Sequence, residues 1–72
     1  MNSSELAHMA NQIGHYYQPY GTDEAVAGIQ KHILRFWHPD LRTQLIALAQ
    51  LDDDTLLHCV RTAALRLAQS CT

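Results

Sequence analysis

Five histidines and two cysteines are the side chains of this 72-residue chain best suited to chemistry. Structural zinc sites take them at short, regular spacings, and no His-x3-His or Cys-x2-Cys pair occurs. His8 and His15 lie on what reads as one helix, two turns or about 10 Å apart, too far to share a metal directly. His58 adjoins Cys59, but neighbours on a helix point about 100° apart. Cys59 with any histidine could form a nucleophile–base dyad. Nothing in the spacing selects one, and a chain this short has little with which to exclude water. There is no Gly-x-Ser-x-Gly, no Gly-rich phosphate loop and no paired-carboxylate signature. Cys59 and Cys71 both fall in the last helix, about 18 Å apart, beyond the reach of a disulfide. Two unpaired thiols suit a reducing compartment. No catalytic, metal or cofactor residue is expected.

The richest chemistry lies in Lys31-His32-Ile33-Leu34-Arg35-Phe36-Trp37-His38-Pro39-Asp40-Leu41-Arg42. It holds three of the five cationic residues, the only Trp and the only Phe. Trp and Arg are enriched at binding hot spots. Phe36 is at a stripe position and is expected in the core. Trp37, at the stripe's edge, fits core or interface equally. Arg35 and Arg42 read as interface residues. A helix-turn-helix could be drawn through this segment. Its recognition helix, however, would carry Arg42 as its only cation against Asp40.

Four amphipathic helices position these residues. The first runs from about Ser4 to Tyr17, with Leu6, Met9, Ala10, Ile13 and Tyr17 inward at three- and four-residue spacing. Asn2 or Ser3 can cap it, and Asn2 with Glu5 has capping-box spacing. Pro19 and Gly21 then break the chain. The second helix runs from about Asp23 to Trp37 with Thr22 as its cap. Ala25, Val26, Ile29, Ile33, Phe36 and Trp37 form its stripe. Pro39 disfavours helical geometry at His38 and can open the third helix as its first residue. That helix reaches about Ala49, with Leu41, Leu45, Leu48 and Ala49 inward. Asp52 to Asp54 cap a fourth helix that continues to about Gln69, with Leu56, Val60, Ala63, Ala64 and Leu67 inward. All seven acidic residues fall at or near these helix starts, where carboxylates favour the free N–H groups and the dipole. The fold class is all-α, a small bundle of about four short helices forming a single domain over residues 1–72.

Three large aliphatics fall off these buried faces: Leu34, Ile46 and Leu65. Joined into a patch, they would mark a partner contact. The formal charge of −2 argues against nucleic acid and against an anionic membrane surface. No stretch is apolar and long enough to span a bilayer, and no basic region precedes an apolar run at the N-terminus. A cytoplasmic location is expected. A chain of this length buries only roughly 60% of its unfolded surface. That suits a small binding domain, or a subunit stabilised by a partner, better than an enzyme with a deep cleft.

Two blocks carry a family resemblance. Met9-Ala10-Asn11-Gln12-Ile13-Gly14, followed by Tyr16 and Tyr17, resembles the first block of the delta subunits of NAD-dependent formate dehydrogenase of the molybdenum or tungsten type. His32-Ile33-x-Arg35-Phe36-Trp37-x-Pro39-x-x-Arg42 resembles the second. Together they cover roughly half the chain. In the family pattern an Asp stands at the position of His38, and Arg-Met-Arg at Asp40-Leu41-Arg42, which reads as a charge swap. The paired aromatics are commonly Phe.

The resemblance implies a non-catalytic accessory subunit of a cytoplasmic enzyme, assisting assembly or stability of the large catalytic subunit. Other subunits would carry the pterin-bound metal, the iron–sulfur clusters, the flavin and the NAD site, leaving this chain with no cofactor of its own. The expected partner is that large subunit, contacted through Asn11, Gln12, Leu34, Arg35, Trp37, His38, Pro39, Arg42, Ile46 and Leu65. A homodimer is allowed for the isolated chain. The alternatives are a freestanding maturation factor for cofactor insertion and an unrelated self-associating helical protein.

Overall fold

A computed structural model describes residues 3–51 and 55–70. It contains α1 (Ser3–Tyr17), a single 3-10 turn (Gln18–Tyr20), α2 (Thr22–Phe36), α3 (Pro39–Gln50) and α4 (His58–Ser70). The described residues are thus almost wholly helical, and the all-α expectation holds. α4 packs against α2 and α3, and α1 lies across α2 and α4. Leu6, Ile29, Ile33, Leu45, Val60 and Leu67 are among the side chains that meet in the centre, all essentially inaccessible. The Asn2–Glu5 capping box, the Asp52–Asp54 cap and Cys71 lie outside the described residues.

The helix boundaries depart from the sequence reading at three places, each for a local reason. Thr22 is not the cap of α2. Gly21 is, at φ 96° and ψ 161°, a conformation nearly restricted to glycine. Its carbonyl accepts from Ala25 N at 2.8 Å, so Thr22 is already helical.

α2 ends one residue early, at Phe36. Trp37 is extended, although its N–H still donates to Ile33 O at 3.0 Å. His38 is extended as well, as a residue before proline should be, and Pro39 opens α3. Of the two aromatics, Phe36 departs from its expected place in the core, and Trp37, equally suited to core or interface, is core. The indole of Trp37 turns into the core, whereas Phe36 is 71% exposed. Phe36, the last helical residue, sits beside His32 and Arg35 rather than in the core, while the extended Trp37 still reaches it.

α4 begins at His58, later than a cap at Asp52–Asp54 would start it. Thr55 to Leu57 form an irregular strap over α1. Leu57 O accepts the first helical bond, from Arg61 N at 2.9 Å. Gly14 lets α1 and α4 approach here: a Cβ on Gly14 would stand 2.5 Å from Val60 Cγ2.

Candidate docking surfaces

Two apolar grooves and the corner between α2 and α3 hold most of the residues expected at a partner surface. The first groove runs between α1 and the C-terminal half of α2 and has a volume of about 540 Å³. Met9 and Ile13 from α1 and the edge of Trp37 give it apolar walls. Gln12, Tyr16, Tyr17 and His32 complete them. Tyr17 is held by close packing, since a Cβ on Gly28 would come within 2.5 Å of its ring. Tyr16 stacks edge-on against Tyr17 at 4.9 Å between centroids yet is largely exposed itself. Gln12 Nε2 donates to His8 Nε2 at 3.1 Å, which fixes the amide at the groove edge. Beyond His32 lies Phe36, with ring centroids 4.9 Å apart, and the Arg35 guanidinium sits 5.9 Å from the Phe36 ring centre.

The second groove, about 250 Å³, lies on another face of α2. Leu34, Pro39, Arg42, Thr43 and Ile46 line it, over the buried Leu67. Of the three aliphatics expected outside, only Leu34 is exposed. Ile46 and Leu65 are half-buried and pack against the core, so they are not free surface as the wheel suggested. Leu34 and Ile46 do join in this groove, and Leu65 lines neither groove.

The residues expected at a partner surface are therefore divided. Gln12 and Trp37 belong to the first groove, with Arg35 beside it. Leu34, Pro39, Arg42 and Ile46 belong to the second. His38 stands exposed at the corner, where its Nδ1 accepts from Asp40 N at 3.1 Å. It is the side-chain cap of α3, an office for which Asp is among the best residues. The His-for-Asp departure at this position thus keeps an acceptor at the helix start. Asp40 Oδ2 lies 3.7 Å from the same nitrogen and would pair with it in the charged form. Asn11 has both ends of its amide engaged within the chain, on Thr55 and Leu57.

Sequence reasoning missed Met9, Ile13, Tyr16, Tyr17 and His32 as surface-forming residues. The first, second and fourth were assigned to the core stripe, and each is in fact half-buried at its edge. It also missed Arg61, whose Nε donates to Ala49 O at 3.1 Å and closes the C-terminal end of α3. Among the described residues no three His, Cys, Asp or Glu side chains gather as a metal site would need. No described helix is long and apolar enough to cross a membrane.

A model of the NADH-dependent formate dehydrogenase delta subunit family, FdsD, matches residues 5–64. The chain belongs to that family. No curated protein and no solved structure matches it. The family match spans α1, α2, α3 and the first half of α4, and so includes every residue lining the first groove. The two blocks that carry the delta-subunit resemblance are separated in sequence but adjacent in space. Met9, Gln12, Ile13, Tyr16 and Tyr17 of one, and His32 and Trp37 of the other, line the same groove.

Proposed function

We propose that this delta subunit is a non-catalytic accessory subunit of a cytoplasmic, NAD-dependent formate dehydrogenase, and that it aids assembly or stability of the large catalytic subunit. Membership of the delta-subunit family carries this reading. The surface supports it physically. A small domain with two apolar grooves and exposed Phe36, Tyr16 and Leu34 leaves area that a partner can cover. Docking uses the first groove and the α2–α3 corner. Pro39 fixes the corner, the Trp37 edge gives rigid apolar area, and Arg35 and Arg42 supply directional hydrogen bonds.

The test is recovery of the tagged chain from its native cells grown on formate, with the eluate assayed for formate-dependent NAD reduction. Stoichiometric recovery of the large subunit with activity is the expected result. Recovery of only an inactive, cofactor-free large subunit would identify a freestanding maturation factor instead. Recovery of neither would refute both.

A further inference from the structure

The first groove has a chemical polarity that specifies what covers it. Apart from the Gln12 amide its lining is apolar or aromatic, and no residue lining it is acidic. On the α2 side, Arg35 stands by Phe36, whose ring adjoins the lining His32. Arg35 follows His32 by three residues and Lys31 precedes Arg35 by four, so Arg35 adjoins both, with Lys31 the further from the groove. Both cations are exposed. Among the described residues neither has a carboxylate partner, and Arg35 reaches only the Phe36 ring. The chain as a whole carries −2, so it has no general attraction for acidic partners. Arg35 and Lys31 are a local exception beside this groove, as Arg42 is in the second. Met9 in the wall suits an apolar side chain of variable shape, because the thioether adapts to irregular gaps.

We propose that this groove takes a segment of the formate dehydrogenase catalytic subunit in which an apolar side chain is flanked by Asp or Glu. The apolar group seats on Met9, Ile13 and Trp37, and the carboxylates pair with Arg35 and Lys31. The proposal rests on the accessory-subunit reading and adds the chemistry of the contacted segment. The rim charges also set the encounter rate, so association slows as salt rises.

Lys31 makes a direct test available, because it is the only lysine in the chain. A water-soluble carbodiimide joins an amine to a carboxylate in contact with it. Treatment of the purified complex of this chain with its catalytic subunit, followed by peptide mass spectrometry, should join Lys31 to an Asp or Glu next to an apolar residue. Lys31→Arg should abolish the link and retain binding. Arg35→Glu should weaken binding by at least about tenfold and flatten its salt dependence. Arg66→Glu, an equal charge change on α4, should bind as wild type. Circular dichroism on each variant separates lost contact from lost fold.

If the complex forms but Lys31 joins no partner carboxylate and Arg35→Glu binds normally, the groove proposal is wrong while the accessory reading stands. If the link joins Lys31 to a second copy of this chain, self-association occupies the groove and the proposal is equally wrong. If the wild-type chain forms no complex with the catalytic subunit, both fall together.

Discussion

Asn11 on α1 closes the strap that leads into α4, 44 to 46 residues further along the chain. Its Oδ1 accepts from Leu57 N at 2.9 Å, and its Nδ2 donates to Thr55 O at 2.8 Å. One amide thus holds both ends of the strap that enters α4. It also ties the last helix to the first near Gly14, whose missing Cβ leaves room for Val60 and Leu57.

Removing this amide should cost more than an exposed hydrogen bond. Asn11→Ala leaves the half-buried Leu57 N–H unpaired, and stability should fall by about 1–3 kcal/mol in urea denaturation. Asn11→Asp keeps the acceptor and puts a carboxylate at the start of α4, but loses the bond to Thr55 O, so its cost should be smaller. Equal losses for the two variants would mean that the acceptor role is not the important one.

The aromatic pair at the end of α2 separates folding from docking. Phe36→Ala should leave stability within about 0.5 kcal/mol of wild type, because the ring is exposed. The same variant should weaken capture of the catalytic subunit. Trp37→Ala should cost about 3–5 kcal/mol, a large share of what a domain this small possesses. Its failure to bind would therefore say little about contact. Thermal melts of the two variants settle which ring is core. A larger loss for Phe36→Ala would contradict the fold described here.

His38 should behave as a cap. His38→Ala should destabilise by about 1 kcal/mol, and His38→Asp should match or exceed wild type, since Asp accepts from the same N–H and favours the helix start. Denaturation midpoints of the three proteins check this. An unchanged midpoint for His38→Ala would show that the bond to Asp40 N contributes nothing.

Gly21 and Thr22 invert an expectation drawn from residue type. Gly21→Ala should cost about 1–3 kcal/mol through backbone strain alone, because nothing lies within 4 Å of where its Cβ would be. Thr22→Ala, at an exposed first helical position, should fall within about 0.5 kcal/mol of wild type. Comparing their melting temperatures would reveal Thr22 as the true cap if the order were reversed.

The four helices were legible in the sequence because apolar spacing and the breakers Pro19, Gly21 and Pro39 are local signals. The start of α3 at Pro39 is one such case, as proline both bars a helical His38 and tolerates the first helical position. The docking surface was legible only in part. Gln12, Arg35 and Trp37 were picked out by residue type. The groove they share with Met9, Ile13 and Tyr16 depends on how α1 crosses α2, which no local signal encodes. The roles of Asn11 and Arg61 were hidden for a related reason. Each polar side chain satisfies backbone groups of another element, and a helical wheel sees only its own helix. The exposure of Phe36, at a stripe position on the last turn of α2, could not be read from its spacing.

The most direct test of the central claim is affinity purification of this chain from formate-grown cells, with partner stoichiometry and formate-dependent NAD reduction measured on the same eluate. The account predicts a one-to-one ratio to the large catalytic subunit in an active enzyme, and loss of that ratio with Phe36→Ala. An active enzyme recovered without this chain, at full stability and yield from cells lacking it, would contradict the account.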